Sequence, residues 1–344
     1  MKSKLAALLL FLTVSITQAQ EFKTPVDYLN YIGKETNVIS KSTWKYTSTV
    51  AHSKNARRVD ATRKALVKSI QNATKKIEAL KNGYKGDTEY RDQMLAYLSI
   101  SEKQINQEYD KIINMQEVAE QSYDYMEAYI MARDLINQKI NDEVDKLNAN
   151  QKTFGDKYGI QILEDTSELG KKMKISGEVF ENQTKLFLIF FKVNITESNF
   201  MKAIADKDVN AIQQNTNALE QYANEGLEKL KTFVPYKKDL SLVNATKKAL
   251  EFYKKEALEY GPKVVAYIMF NQKFEENKKA LESKSESNRS KAEVDNFNKL
   301  IDAMNKEVDK YNIVNNKFNA ERMTVINNWN DASEVFISRH VPVD

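Results

Sequence analysis

The chain has 344 residues, a formal net charge of +4, no cysteine, four prolines and nine glycines. So few breakers among so many Lys, Glu, Asn, Ala, Leu and Ile residues select long helices. Charges of both signs are intermixed, which excludes the massed basic surface that nucleic acid or an anionic membrane demands.

Residues 1–19 read as a secretory signal peptide. Lys2 and Lys4 make a basic start, Leu5 to Leu12 form an apolar run, and Thr17-Gln18-Ala19 closes it with small residues. The run is too short for a bilayer core of about 30 Å, which takes roughly 20 residues. The mature chain is expected to start at Gln20 and to keep a charge of about +2 once Lys2 and Lys4 are gone. It has no transmembrane segment and no cysteine for a lipid anchor. The expected address is extracytoplasmic: periplasmic, secreted or cell surface.

Thr24-Pro25-Val26-Asp27 is a helix start, with Thr24 as cap and Pro25 in the first turn. Helix continues to Leu80 with a joint near Ser53 to Arg58. Asn82-Gly83 ends it, and Asp87 is expected to cap a helix running unbroken to Phe154. Its apolar stripe is Met115, Ala119, Ser122, Met126, Tyr129, Ala132, Ile136, Ile140, Val144 and Leu147. Gly155, Gly159, Gly170 and Gly177 mark 155–177 as a looser connection, with a short helix from Ser167 to Lys174. A new helix after Ser176 carries Leu186 to Phe191, apolar on all sides. Further helices are expected from Val209 to Phe233, from an Asp239 cap to Glu282 with a break at Gly261-Pro262, and from a Ser283–Glu286 capping box to Ile337. Trp44, Phe154, Leu186 to Phe191, Phe252, Phe270, Phe318 and Trp329 are the expected core.

The two halves echo each other. Glu143 to Phe154 and Glu307 to Phe318 share six of twelve residues, and Ile77–Lys81 parallels Leu227–Lys231. Both of the latter precede a breaker and an Asp, Asp87 or Asp239. These collinear matches predict two tandem units, roughly 25–157 and 180–325.

Catalytic chemistry is hard to find. The only histidines are His52 and His340. Two distant imidazoles do not make a zinc site, and no Glu-x-x-His pair serves a di-iron centre. Glu117, Glu120, Asp124 and Glu127 read as a solvated or salt-bridged helix face rather than a cation site. No Gly-x-Ser-x-Gly elbow and no Gly-rich phosphate loop occurs. Tyr109, Tyr123, Tyr125 and Tyr129 read as padding between long helices, with a recognition surface as the alternative. No catalytic, cofactor-binding or metal-binding residue is assigned, no cofactor is implied, and the binding residues are unknown.

Gln116-Glu117-Val118-Ala119-Glu120-Gln121-Ser122-Tyr123-Asp124-Tyr125-Met126-Glu127-Ala128-Tyr129 and Asn328-Trp329-Asn330 resemble a family of exported bacterial surface proteins known only from a locus tag. The resemblance covers most of the mature chain. It implies an exported, all-helical protein, and it carries over no site residue.

The expected fold is all-α, an elongated bundle of long antiparallel helices. The leading functional expectation is a non-enzymatic structural or interaction protein of the bacterial cell envelope, with an envelope protein or ligand as partner. One alternative is a carrier of a small or hydrophobic ligand, with a pocket between the two units near the Tyr/Met helix. The other is a membrane-active protein using 186–195.

Overall fold

The computed structural model describes residues 22–53, 55–105, 122–163 and 167–343, without the side chains of 56, 132–134, 136 and 137. The signal peptide, Tyr109, Met115, Glu117, Ala119 and Glu120 lie outside the described residues, as do the side chains of Ala132 and Ile136. The fold is all-α. Its helices are α1 Pro25–His52, α2 Ala56–Glu78, α3 Glu89–Lys103, α4 Tyr123–Tyr158, α5 Glu168–Ala205, α6 Val209–Lys231, α7 Ser241–Lys255, α8 Gly261–Glu282 and α9 Lys291–His340. Short 3-10 turns precede α7 and α9.

Two compact units emerge. One comprises 1–43, 61–108 and 136–165, and the other 44–60, 109–135 and 166–344. The division runs through α1, α2 and α4 instead of between tandem halves. Long helices present one apolar stripe to more than one set of neighbours, so a unit boundary need not coincide with a helix end.

In the first unit, neighbouring helices alternate in direction. Lys76 of α2 grips Glu35 of α1 at 2.8 Å. Gln71 of α2 bonds Glu102 of α3 at 2.7 Å, and Gln93 of α3 bonds Glu143 of α4 at 2.9 Å. Phe154, near the end of α4, returns to Tyr28 at the start of α1, with ring centroids 5.4 Å apart. The α2–α3 turn is set by backbone geometry. Gly83 has φ +55°, and a Cβ there would lie 1.9 Å from the Asp87 carbonyl oxygen. No side chain is tolerated in that space.

The second unit is built on an up-down-up-down bundle of α5, α6, the α7–α8 pair and α9. Contacts along α9 give its direction. Asp239 meets Arg339, Thr246 meets Trp329, Lys255 meets Glu321, Tyr267 meets Tyr311 and Phe274 meets Phe297. Residue numbers fall on α9 as they rise on α7 and α8, so the two rods are antiparallel. At the centre, Trp329 stacks on Phe190 at 4.2 Å and 7°, and its indole N–H donates to Thr246 Oγ1 at 3.0 Å. That one side chain ties α5, α7 and α9 together.

Matching segments of the two halves fall on α4 and on α9. Glu143–Lys146 on α4 and Glu307–Lys310 on α9 are both ion pairs. Before α3 and α7, Asp87 accepts from the Glu89 N–H and Asp239 from the Ser241 N–H. The last turns of α4 and α9 hold these aspartates: Lys157 and Tyr158 hold Asp87, and Arg339 and His340 hold Asp239.

Several local expectations need correction. Asp87 and Asp239 each stand one residue before the N-cap positions, Thr88 and Leu240. The Ser176 helix is part of one helix from Glu168 to Ala205, capped by Ser167 Oγ accepting from the Gly170 N–H at 3.1 Å. A helical glycine costs only about 1 kcal/mol, and buried Ser176 and Val179 continue the packed face across Gly177. The capping box before α9 is Ser290 with Glu293, not Ser283 with Glu286. The Asp87 helix cannot run unbroken to Phe154, because Gln93 of α3 bonds Glu143 of α4 at 2.9 Å, whereas one helix would set them about 75 Å apart; 106–121 lie outside the described residues. Ile140, Val144 and Leu147 are half-buried, as is Phe270, whereas Trp44, Phe154, Phe252, Phe318 and Trp329 are buried. Within the Leu186–Phe191 run, Leu186, Phe190 and Phe191 are buried and the other three half-buried.

Trp329→Ala should lower unfolding free energy by about 3–5 kcal/mol, read by urea titration. Trp329→Phe should cost less, because the stack on Phe190 survives and only the bond to Thr246 is lost. Equal losses for both would remove Trp329 as a centre of the bundle.

Candidate functional site

Two places in the second unit concentrate chemistry. The first is a groove of about 530 Å³ between α5 and α6. Its α5 wall carries Lys185, Leu188, Ile189 and Lys192, and its α6 wall Tyr222, Glu225, Gly226 and Lys229. These helices run antiparallel, so Lys192 pairs with Glu225 at one end and Asn182 bonds the Val234 carbonyl at the other. Tyr123 and Glu127 of α4 close the first end, and Phe233 and Val234 line the second. The groove therefore spans about 15 Å of helix.

Lys192 is the fixed cation of this groove. Its ammonium lies 4.0 Å from the centre of the Tyr222 ring and 5.3 Å from that of Tyr123. It donates to Glu225 at 2.9 Å, and Gln221 donates to the other Glu225 oxygen at 2.9 Å. Those two bonds hold the Glu225 carboxyl below its ordinary range. The Tyr123 hydroxyl donates to Glu127 at 3.1 Å. Burial, followed by that bonded carboxylate, pushes the Tyr123 phenol up to about 12. Both acids of the groove thus have protein partners.

The second place is interior. Arg322 of α9 forms ion pairs with Glu197 of α5 and Glu256, and its guanidinium also donates to Asn319. All three charged residues are buried, Glu256 completely. Glu256 opens a π turn, Glu256–Tyr260, in which the Gly261 N–H reaches back five residues to the Glu256 carbonyl. Pro262 explains the irregularity, because it has no N–H to donate within the helix. Gly261 is also where Thr216 of α6 comes close, 2.8 Å from an added Cβ.

Two buried carboxylates face one guanidinium, an arrangement that would leave an uncompensated negative charge if both ionised. Burial disfavours that charge. Burial raises Glu197 and lifts Glu256 to about 8 despite the attraction of Arg322, the neighbouring Glu197 adding to the effect. Burial thus favours the protonated form of Glu256 at neutral pH. Around it, Tyr253 donates to Asn194 at 2.7 Å and Tyr260 to Asn315 at 2.6 Å. Burial holds both phenols far above their ordinary range, helped at Tyr253 by the Glu197 and Glu256 carboxyls and at Tyr260 by the neighbouring Tyr311 hydroxyl.

The sequence-singled residues are scattered. His52 contacts the Pro342 carbonyl at 3.2 Å, and His340 bonds Asp239 at 2.7 Å. Asp124 is exposed, Tyr125 is exposed and Tyr129 is half-buried against the Met126, Ile130 and Phe191 cluster, so among the described members of that tyrosine group only Tyr123 reaches the groove. The groove belongs wholly to the second unit. Among the described residues no group of three His, Cys, Asp or Glu is placed to hold a metal, and no helix is long and apolar enough to cross a membrane.

Sequence reasoning missed Glu197, Glu256 and Arg322. A signal existed: the chain has eight arginines against forty-four lysines. Arginine is the cation suited to buried, multiply bonded positions. Arg63 and Arg322 are buried, Arg91 bonds the Leu80 carbonyl at 2.8 Å, and Arg289 bonds that of Leu281 at 3.1 Å. No protein-family model, curated protein or solved structure matches the chain.

Because Glu256 binds its proton more tightly folded than unfolded, this group's stabilisation is complete below about pH 4.5 and declines as pH rises toward about 8. Each pH unit in that window should remove on the order of 1 kcal/mol. Glu256→Gln should flatten this slope in chemical denaturation between pH 5 and 8. An unchanged slope would mean that the buried proton is not on this pair.

Proposed function

We propose that the chain is a non-enzymatic interaction protein of the bacterial cell envelope, exported by its N-terminal segment. The observation that carries this reading is the hairpin formed by the end of α8 and the start of α9. From residue 271 to residue 303 no side chain is buried, whereas Ile268 and Met304 on either side are. The hairpin is nevertheless ordered by specific contacts. Phe274 stacks on Phe297 at 5.7 Å, Lys284 pairs with Glu293, and Arg289 bonds the Leu281 and Lys284 carbonyls.

Ordering a residue costs roughly 1–2 kcal/mol of backbone entropy, and this arm returns little apolar burial. Its structural investment is in exposed surface. That suits a docking element better than a reaction chamber. The matching segments of the two halves support descent from a duplicated helical unit, which extends a scaffold without adding chemistry.

The carrier alternative draws on the α5–α6 groove. The membrane-active alternative is disfavoured by packing, because Leu186, Phe190, Phe191 and Val193 lie within the core. Purified protein at micromolar concentration should therefore release no dye from liposomes.

Replacing 272–302 with a short Gly-Ser turn should leave the melting midpoint nearly unchanged and abolish capture of envelope partners by the full chain. Surface proteolysis of intact, fractionated cells should find the protein outside the cytoplasm. Capture that survives removal of the arm, or a cytoplasmic location, would overturn the proposal.

A further inference from the structure

We propose that the α5–α6 groove is a binding site for a single-chain anionic amphiphile, with an alkyl tail and a carboxylate or phosphate head. The volume, about 530 Å³, is that of a small-molecule pocket. Its length of about 15 Å holds a head at its middle and the first half of an alkyl tail laid along the helices. Leu188 and Ile189 supply an apolar floor, and Phe233 and Val234 continue it to the far end, where Val234 is 80% exposed. Gly226 lets α6 pack closely beneath that floor, since a Cβ there would crowd buried Leu250 at 2.9 Å and Ile189 at 3.1 Å.

Charge selects the head. Lys185 and Lys229 stand on opposite walls at mid-groove. Lys185 has only an exposed pairing with Glu181, at 2.6 Å with both side chains more than half exposed, and such a pair is weak and exchangeable. Lys229 makes no close ion pair among the described residues, and only its longer-range attraction to Glu225 competes for it. An anionic head can thus meet two ammonium groups while its tail covers apolar surface. A cationic head has no equivalent place. Glu225 is held by Lys192 and Gln221, Glu127 is held by Tyr123, and the Tyr222 face is filled by Lys192. The site is independent of the hairpin arm and of the envelope reading.

The test is calorimetric titration of the full-length protein with dodecanoate, dodecyl phosphate, dodecyltrimethylammonium and inorganic phosphate, all below their micellar concentrations. Both anionic amphiphiles should bind with one-to-one stoichiometry and at least ten-fold more tightly than the cation or inorganic phosphate. Val234→Asp and Lys229→Glu, both at exposed positions, should each weaken dodecanoate at least ten-fold with unchanged circular dichroism, and Lys306→Glu should have no effect. Equal binding of the cationic amphiphile, or inorganic phosphate alone matching dodecanoate, would overturn the proposal. So would indifference to both groove variants, or binding seen only with anionic lipid vesicles.

Discussion

Arg322 has to satisfy two carboxylates that reach it from different parts of the bundle, and much of the second unit is arranged around that demand. Glu197 comes from α5 and Glu256 from the π turn, so the guanidinium fixes the height of α9 against both. A misplaced helix would strand a charge in the interior, which is far more costly than a poor apolar contact. Trp329 acts two turns further along α9, where its stack and its bond to Thr246 set rotation as well as height. The buried ion cluster and the indole together explain why α5, α7 and α9 keep a single register.

The π turn and the glycine beside it belong to the same constraint. Pro262 forbids one helical hydrogen bond, and the wider turn carries Glu256 into the core. Gly261 lets Thr216 approach at the same level. A sequence break that would otherwise end a helix is thereby used to place an acid. Outside the core, the same helices offer a groove on α5 and α6 and an arm on α8 and α9. Neither feature carries the fold, and both leave side chains available to other molecules.

Helical text was easy to read because its period is local. The α1 cap at Thr24 and Asp27, the joint after His52 and the breaker at Gly83 all follow from neighbouring residues. The α5 start was misread because four glycines outweighed a continuous packed face. Lys192 and Asn194 stand beside the apolar Leu186–Phe191 run; Lys192 fills the ring faces of the groove, and Asn194 accepts from Tyr253. Their partners lie on other helices, dozens of residues away in the chain. No local window contains them.

By itself the sequence determined the all-helical class, most helix ends and the burial of Trp44, Phe154, Phe252, Phe318 and Trp329, but not that of Tyr28, Phe200, Tyr253, Tyr260 or Phe336, because propensity, capping and periodicity act over a few residues. Tertiary structure alone decided that Glu197, Glu256 and Arg322 meet, that the α5 and α6 walls leave a lysine-flanked groove, and that the α8–α9 hairpin extends beyond the buried core. Those outcomes depend on which faces of distant helices come together. That choice is made by long-range burial and charge compensation, which nothing in a single helical stripe encodes.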